Sequence, residues 1–302
     1  MNKRQKEYLA CIVGEKIQFD CPMSKYTTFG VGGKSEAICE VTDLENLKKL
    51  IGFLNGEQIP YLTVGRGSNI LVKDGGIDGL VIRLKGPLAS MKLNETENST
   101  VVAGGGLPLF ELLIRCRDAG LGGIEFLAGI PGTVGGAIMM NAGAFGKEIG
   151  SLVSKVDVIT LEGKTEEISS PHLCFSYRNF RVEKGSVVTR VWLELISKDK
   201  KLVGREIYRF LKNRKEYHPG YPNAGSVFKN PPHDFAGRLI ENAGLKGKKI
   251  GGALISDKHA NFIVNTGGAK AKDILDLLHL AQKTVKENTG IKLEPEIQIV
   301  GK

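Results

Sequence analysis

Long uncharged hydrophobic runs are missing from this sequence of 302 residues. Its apolar stretches are short and are interrupted by charge, as between Leu107 and Ile114, where Glu111 intervenes. A membrane-spanning helix needs about 20 predominantly apolar residues. A secretion signal needs an apolar core after its charged start, and here none follows the polar N-terminal residues. The pattern therefore predicts a soluble, cytoplasmic protein without membrane insertion.

Cysteine is scarce, and its spacing excludes two common kinds of site. The chain has five cysteines, an odd number, and no two of them stand at the C-x-x-C spacing of metal or redox motifs. The five histidines share no metal-ligand spacing either. We expect the cysteines to be buried thiols of the core in a reducing compartment, and we expect no metal site.

Two familiar nucleotide-binding motifs are incomplete. A P-loop requires G-x-x-x-x-G-K-[ST], and Thr28 stands where its first glycine belongs, although Gly33-Lys34-Ser35 supplies the end. A Rossmann fingerprint requires G-x-G-x-x-G between a strand and a helix, and the stretch from Gly65 has Ile70 in place of the third glycine. A nicotinamide-binding domain of the Rossmann type is therefore not expected.

The net charge is +9, from 42 Lys and Arg against 33 Asp and Glu. A basic balance suits a polyanionic partner, which includes nucleic acids, acidic membranes and nucleotides. The basic residues are scattered, and no stripe combines them with aromatic residues in the way that single-strand binders require. We therefore expect small anionic ligands and no nucleic acid.

Hydrophobic periodicity predicts a mixed α+β chain with more than one domain. Strand 186–196 alternates, with Val187, Thr189 and Val191 on one side and Val188 and Arg190 on the other. A change from strands and glycine loops to helices places a domain boundary at residues 198–202. The predicted helices are Lys3–Val13, 44–54, Leu109–Ala119, 206–217, 234–243 and 272–286.

Glycine is abundant, with 39 residues. Four separate glycine loops, at residues 30–33, 65–69, 104–106 and 129–136, border short predicted strands. One such loop is most often only a tight turn, but consecutive backbone N–H groups in a glycine turn can also bind an anion. Several loops together favour a long cofactor with a diphosphate.

Two longer motifs are more specific. The first is G-I-P-G-T-V-G-G-A at residues 129–137 with N-A-G-A at 141–144, and the second is A-G-S-V-F-K-N-P at 224–231. With these motifs the chain resembles the UDP-N-acetylenolpyruvoylglucosamine reductases, in the form that lacks an extra tyrosine-bearing substrate loop. The resemblance runs from Y-T-T-F-G-V-G-G at 26–33 to L-E-P-E at 293–296.

The resemblance implies an α+β architecture with the FAD-binding fold of vanillyl-alcohol oxidase and p-cresol methylhydroxylase. Residues 18–84 and 85–197 would form two FAD-binding lobes, and residues 201–293 a C-terminal α+β substrate-binding domain. Residues 294–302 would form a terminal strand that returns toward the FAD lobes.

The resemblance also assigns residues. It implies catalytic roles for Ser226, Arg178 and Glu296, and substrate contacts for Tyr177, Lys229 and Asn230. The implied FAD contacts are Gly65, Arg66, Gly67, Ser68, Asn69, Gly129, Pro131, Gly132, Gly135, Ala137, Asn141 and Ala142.

In the implied reaction NADPH reduces FAD, and the reduced flavin passes hydride from N5 to the enolpyruvyl group of UDP-N-acetylglucosamine enolpyruvate, which yields UDP-N-acetylmuramate for peptidoglycan. Arg178 would stabilise the enolate, because a guanidinium is planar and always charged. Glu296 would polarise the substrate or relay a proton, and Ser226 would protonate the carbon. We expect Lys229 to help position the serine, and the protein to be a monomer or a weak oligomer.

Two alternatives stay open at this point. Another FAD oxidoreductase of the same fold could act on an alcohol or a hydroxy acid, although the Ser226 motif and Glu296 argue against it. A non-enzymatic nucleotide- or nucleic-acid-binding module is suggested by charge and glycine alone, and it would be colourless.

Overall fold

The computed structural model describes residues 1–94 and 99–302, so part of the predicted lobe 85–197 lies outside the described residues. The chain divides into two compact units. The first comprises Met1–Phe19, Ala37–Arg66 and Gly79–Asn213. The second comprises Asp20–Glu36, Gly67–Asp78 and Arg214–Lys302, so it is assembled from three separate segments. The predicted division into lobes at residues 84 and 197 stays a prediction.

Helices form where apolar residues recur on one face and a polar residue or glycine marks the end. In α3 the buried residues are Leu109, Leu112, Leu113 and Cys116, and Gly120 ends the helix in the left-handed conformation. The α-helices are α1 Lys3–Val13, α2 Leu44–Gly56, α3 Leu109–Ala119, α4 Val134–Met139, α5 Lys200–Tyr217, α6 Ala236–Asn242 and α7 Ala271–Thr289.

The strands are short, and most end at a glycine or a polar turn. Those before residue 120 are β1 Ile17–Pro22, β2 Lys34–Val41, β3 Tyr61–Thr63, β4 Ile70–Val72, β5 Ile77–Leu84, β6 Met91–Leu93 and β7 Thr100–Gly104. They are followed by β8 Leu121–Gly122, β9 Gly143–Ala144, β10 Lys147–Glu148, β11 Val153–Ile159, β12 Thr165–Ser169, β13 Phe175–Ser176 and β14 Asn179–Phe180. The last are β15 Val187–Glu194, β16 Ile196–Ser197, β17 Lys249–Ile250, β18 Ala253–Ile255, β19 Ile263–Asn265 and β20 Gln298–Val300.

In the first unit an antiparallel five-stranded sheet has the order β12-β11-β15-β7-β6. Its apolar face and helices α3 and α4 enclose a core that includes Val101, Leu112, Val134, Val156 and Val191. The leucines of α3 recur at helical spacing and give the helix one apolar face, which is part of this core. The core thereby fixes the glycine loops that precede α3 and α4.

The predicted clean alternation along β15 is wrong at its start. Val187, Val188 and Thr189 are all buried. The register between β11 and β15 shifts where Asp157 opposite Arg190 is followed by Val158 opposite Val188, so that Thr189 is skipped. Such a bulge breaks the two-residue period of a strand, which local sequence does not reveal.

The second unit has its own core. Antiparallel strands β17-β18-β19 and helix α7 surround it, with Ile255, Ile263, Ile274 and Leu278 buried. Strand β20 pairs in parallel with β4, with Gln298 opposite Ile70. The residues just before β20 and just before β4 are therefore neighbours, although more than 200 residues separate them in the sequence.

In the described part of the chain, helices with the length and apolarity of a membrane span are absent. Three cysteines, Cys21, Cys39 and Cys116, are buried as expected, whereas Cys11 and Cys174 are exposed, so the expectation was wrong for these two. Burial raises the pKa of the Cys39 and Cys116 thiols to about 12. These two thiols are protonated near neutral pH and are core residues.

Candidate active site

Ser226 follows a tight turn in the second unit. Gly225 has a φ of 76°, and its N–H donates to the side chain of Asn223 at 2.9 Å. A positive φ at this position favours glycine, because a side chain would be strained there. Ser226 is half-buried and lines a cavity of about 380 Å³. The turn thus presents the serine to an open cavity.

The residues after Ser226 lie directly against the segment that contains Glu296. The N–H of Glu296 donates to the carbonyl of Val227 at 2.7 Å, and the N–H of Lys229 donates to the carbonyl of Glu294 at 2.9 Å. Phe228 and Pro295 form an antiparallel bridge between these two hydrogen bonds. Two of the three predicted catalytic residues therefore occur on paired stretches of backbone.

The predicted flavin loop reaches the same segment. The side-chain amide of Asn69 donates to the carbonyl of Glu296 at 3.1 Å, and the carbonyl of Asn69 accepts from the N–H of Gln298 at 2.9 Å. Ser68, next to Asn69, is half-buried. Within the second unit, the structure thus brings together Asn69, Glu296 and the residues that follow Ser226.

The cavity beside Ser226 has a mixed charge. Arg238 and Lys258 line it, and Arg238 is bound by the carboxylate of Asp234. His259 also lines it, and burial lowers the pKa of this ring. Its Nδ1 accepts from the N–H of Asn261 at 3.2 Å, so the proton of the neutral ring is on Nε2. Glu241 is also in the lining, so the cavity offers two cations, a neutral ring donor and one carboxylate to a ligand.

The predicted substrate residues Lys229 and Asn230 have protein partners. The ammonium of Lys229 lies 3.8 Å from the carboxylate of Glu294, a mostly exposed pair. The side-chain oxygen of Asn230 accepts from the N–H of Ala236 at 3.1 Å and so caps α6. Asn230 lines the same cavity as Ser226. Among the described residues, no three His, Cys, Asp or Glu side chains are grouped as a metal site.

Arg178 lies in the first unit, in the two-residue turn between β13 and β14. Ser176 pairs with Asn179, so Tyr177 and Arg178 form the turn. Arg178 has a φ of 57°, which is uncommon for a residue with a side chain, and such residues cluster at functional sites. Its guanidinium carbon is 5.1 Å from the centre of the Tyr177 ring.

The glycine loops of the first unit have the close packing and the accessible backbone that a cofactor site requires. A Cβ on Gly65 would lie 2.4 Å from the hydroxyl of Thr133, and one on Gly135 would lie 3.0 Å from the carbonyl of Gly105. A side chain at Gly65 would therefore force Thr133 to move, and one at Gly135 would be tightly packed against Gly105. Gly129 and Pro131 are exposed, so backbone there is open to a ligand. The loop at Gly65 and the loop at residues 129–136 are thus packed closely against neighbouring residues, and the second exposes backbone to a ligand.

In the second unit Gly67 behaves in the same way. Its φ is 63°, and a Cβ there would lie 2.0 Å from the carbonyl of Tyr26. Arg66, which precedes it, is exposed and cationic. The backbone at Gly67 is flanked by the guanidinium of Arg66, the hydroxyl of Ser68 and the amide of Asn69. Together these groups fit the anionic diphosphate of FAD. The residues present at the predicted cofactor positions therefore fit the group.

Asn141, another predicted flavin contact, is buried and bonded to protein. Its side-chain amide donates to the carboxylate of Glu148 at 2.7 Å and to the carbonyl of Ser176 at 3.0 Å, and its oxygen accepts from the N–H of Gly150 at 3.0 Å. Ala142 donates through its N–H to the carbonyl of Ala137 at 2.8 Å. The Asn141 side chain therefore holds the residue just before Tyr177.

Sequence reasoning missed two residues at these sites. Thr133 contacts Gly65 and so joins the two predicted flavin stretches, and its position inside the 129–137 motif was the available signal. Asn261 is buried, and its side chain both accepts from the N–H of Phe228 and donates to the carbonyl of Phe228. No pattern in the sequence indicated this residue.

Comparisons with known proteins match a cofactor-binding domain and a C-terminal domain to different parts of the chain. A family model described as "UDP-N-acetylenolpyruvoylglucosamine reductase, C-terminal domain" matches residues 217–300. A model described as "FAD binding domain" matches residues 35–169. The UDP-N-acetylenolpyruvoylglucosamine reductase of Syntrophus aciditrophicus is 41% identical over 298 residues, which is 98% of this chain and 96% of that protein. The one from Anoxybacillus flavithermus is 40% identical and matches over 100% of both chains.

Solved structures give the same picture of the fold. The UDP-N-acetylenolpyruvylglucosamine reductase of Thermus caldophilus has a TM-score of 0.81 at 38% identity, over 93% of this chain and 97% of that one. A berberine bridge enzyme has a TM-score of 0.52 at 14% identity, over 66% of this chain and 44% of that one. The predicted FAD-binding fold with a C-terminal α+β domain is confirmed.

Proposed function

The chain belongs to the family of UDP-N-acetylenolpyruvoylglucosamine reductases, and on this premise we propose that Ser226, Arg178 and Glu296 carry out its chemistry. The family reduces the enolpyruvyl group of UDP-N-acetylglucosamine enolpyruvate in peptidoglycan synthesis, and its cofactors are FAD and NADPH. The chain is accordingly an FAD-dependent oxidoreductase. The 2.7 Å hydrogen bond from Glu296 to Val227, the neighbour of Ser226, is the observation that carries the assignment of residues.

FAD, when bound, supplies the hydride. The chain's part is to hold the cofactor through the loops 65–69 and 129–142, where glycines let the backbone approach a ligand closely. Ser68 and Asn69 add a hydroxyl and an amide, and Arg66 adds a cation that favours an anionic diphosphate.

Ser226 protonates the substrate carbon. A hydroxyl is a weak acid, so it serves only when its oxygen is held within hydrogen-bonding reach of a strong base such as an enolate. The turn at Gly225 and the hydrogen bond between Val227 and Glu296 restrict the backbone on both sides of Ser226. This restriction supports the role of a fixed proton donor.

Arg178 stabilises the negative charge that develops on the substrate carboxylate and its neighbouring carbon. A guanidinium keeps its charge at all working pH values and matches a carboxylate in shape. Its place at a positive φ in a hairpin turn supports a functional role, because an ordinary surface arginine gains nothing from that backbone conformation. Tyr177, beside it in the turn, is exposed and is proposed to contact the substrate.

Glu296 polarises the substrate or relays a proton to it. Its backbone N–H and carbonyl are both bonded, to Val227 and to Asn69, so the position of its side chain is constrained. Lys229 and Asn230 are proposed substrate contacts, and Asn230 lines the cavity that contains Ser226. Lys229 is half-buried near Glu294, within reach of the same backbone segment.

The location and assembly of the protein are part of the proposal. A cytoplasmic location is supported by the chemistry, because NADPH and nucleotide-sugar substrates are cytoplasmic metabolites. The proposed assembly is a monomer or a weak oligomer.

The absorption spectrum of the purified protein tests the function directly. Bound flavin should give visible bands that bleach on adding NADPH and return on adding UDP-N-acetylglucosamine enolpyruvate without oxygen. A colourless protein, or bands that return equally well with UDP-N-acetylglucosamine, would contradict the proposal.

The role of Ser226 is tested by separating the two half-reactions. Ser226→Ala should slow flavin reoxidation by substrate by about 10²- to 10⁴-fold, the usual contribution of a general acid or base. Flavin reduction by NADPH should be unchanged. Ser90→Ala is the control, because the hydroxyl of this half-buried serine donates to the carbonyl of Pro87 in its own turn. Equal losses in both half-reactions would remove Ser226 from proton delivery.

A further inference from the structure

The backbone after Ser226 lies between two partners, and one of them is a side chain. On one side, the carbonyl of Val227 accepts from the N–H of Glu296 at 2.7 Å. On the other side, the N–H of Val227 donates to the backbone carbonyl of Asn261 at 2.8 Å. On this second side, the carboxamide of Asn261 bonds to the backbone of Phe228.

The Asn261 carboxamide imitates a strand. Its oxygen accepts from the N–H of Phe228 at 2.9 Å, and its amide donates to the carbonyl of Phe228 at 2.8 Å. Asn261 is only 3% exposed, and both bonds are buried. The arrangement needs one donor and one acceptor, and a carboxamide supplies both while it stays neutral at every working pH. A hydrogen-bonding group left unpaired in such a place is costly, so the pairing fixes Phe228 in one register.

This pairing determines where Ser226 is held. Val227 joins Ser226 to Phe228, so a shift of the Phe228 backbone moves the serine hydroxyl. Proton delivery from a weak acid depends on sub-ångström placement, and a displacement of about 1 Å can cost roughly 10²-fold in rate. Resting on the role given above to Ser226, we infer that Asn261 is the positioning residue of the proton donor, acting through the backbone of Phe228.

Substitution of Asn261 should spare much of the fold. The bond from Val227 to Asn261 uses the backbone carbonyl, which every substitution retains. The bond from Glu296 to Val227 and the bridge between Phe228 and Pro295 also use backbone alone. Among the described residues, the hydrogen bonds that Asn261→Ala removes are the two to Phe228, and the substitution also shortens a side chain that lines the cavity beside Ser226.

The first experiment measures both half-reactions of the flavin-loaded enzyme by stopped flow. Asn261→Ala should slow reoxidation by substrate by about 10- to 100-fold and leave reduction by NADPH within about 2-fold of wild type. Thr266→Val is the matched control, because it removes a 2.9 Å side-chain bond to the carbonyl of Gly252 just after β19. Its two rates should match wild type. Equal losses in both half-reactions for Asn261→Ala, or no loss in either, would overturn the inference.

A second substitution separates this inference from the proposed function. If Asn261 acts through the serine, Asn261→Ala should slow reoxidation no further in a Ser226→Ala background. An undiminished effect in that background means that Asn261 acts by another route. If Ser226→Ala alone leaves reoxidation intact, the proposed function of Ser226 fails, whatever Asn261 does.

Asn261→Asp supplies a readout that a purely structural role would not give. A protonated carboxyl has the shape of the amide and can both donate to and accept from Phe228, whereas a carboxylate can only accept. The reoxidation rate of Asn261→Asp, divided by that of wild type, should therefore rise at least several-fold as the pH is lowered. The titratable and charged groups near this position are the same in both proteins, so the ratio isolates the new carboxyl. They are Arg238, Glu241, Lys258 and His259, which line the same cavity, and Lys229 and Glu296 on the paired backbone segments. A ratio that is constant with pH would overturn the inference.

Discussion

The side-chain amide of Asn69 donates to the backbone carbonyl of Glu296 at 3.1 Å, which links a proposed cofactor residue to a proposed catalytic residue. Asn69→Ala removes this bond and leaves the backbone bond from Gln298 to Asn69 in place. We expect both weaker flavin binding and slower reoxidation by substrate, each by roughly 2- to 10-fold, the value of one hydrogen bond. Flavin titration and stopped-flow absorbance measure the two effects. A change in only one of them would show that the hydrogen bond does not couple flavin binding to reoxidation.

Arg178 should show a separation between stability and activity. Arg178→Gly places at a φ of 57° the residue that tolerates it best, so the free energy of unfolding should change by no more than about 1 kcal/mol. Reoxidation by substrate should fall by at least about 10²-fold, because the stabilising charge is lost.

Arg178→Lys is the companion variant, and it keeps the charge but not the planar fork of donors. It should retain an intermediate rate of reoxidation. Denaturant titration and stopped-flow absorbance check both variants. An Arg178→Gly enzyme that reoxidises normally would exclude the arginine from the chemistry.

Gly67 should be far less tolerant of a side chain than another glycine of the same unit. Gly244 also has a positive φ, of 71°, but a Cβ there would meet nothing within 4 Å. Gly244→Ala should therefore cost about 1 kcal/mol of stability, from backbone strain alone. Gly67→Ala adds the collision with Tyr26, a further 1–3 kcal/mol or so, and should lose bound flavin. Thermal unfolding and the visible flavin absorbance of the purified variants distinguish the two outcomes. Equal stability and equal flavin content of the two variants would contradict the proposed role of Gly67 in holding the cofactor.

His218 should make the protein less stable in acid. Burial, together with Arg214, His259 and Lys258, lowers the pKa of His218 to about 4 in the folded protein. The unfolded chain binds this proton near pH 6.5, so between pH 6.5 and 4 the unfolded state holds more protons and the free energy of unfolding falls as the pH falls. His218→Gln should reduce the loss of urea resistance between pH 7 and pH 5. The free energy of unfolding of His218→Gln should still depend on pH, in part because the pKa of His259 is also lowered.

Helix α3 illustrates what local sequence determines. Its apolar positions recur at helical spacing and Gly120 follows, so both ends agree with the prediction. Helix α6 was predicted from residue 234 but begins at Ala236. The carboxylate of Asp234 bonds the N–H of Phe235, and Asn230, from outside the helix, accepts from Ala236. A cap contributed by a residue outside the helix is harder to find by periodicity.

The active-site residues show the same limit more strongly. Ser226 and Glu296 could be assigned only through family resemblance, because their proximity arises from pairing between residues far apart in sequence. The role of Asn261 depends on bonds between its carboxamide and the backbone of Phe228, and such a pairing between residues 33 positions apart leaves no trace in a sequence pattern. The bulge beside Thr189 was missed for a similar reason, since the register between β11 and β15 is set by both strands.

The parallel pairing of β20 with β4 bears on how the protein is made. Strand β4 is synthesised early, but its partner is Gln298–Val300, which follows it by more than 200 residues. At about 5–20 residues per second a ribosome needs roughly 10–50 s to supply that partner. During this time β4 lacks the strand that it pairs with in the folded unit, so this part of the second unit is completed only after residues 298–300 have been made.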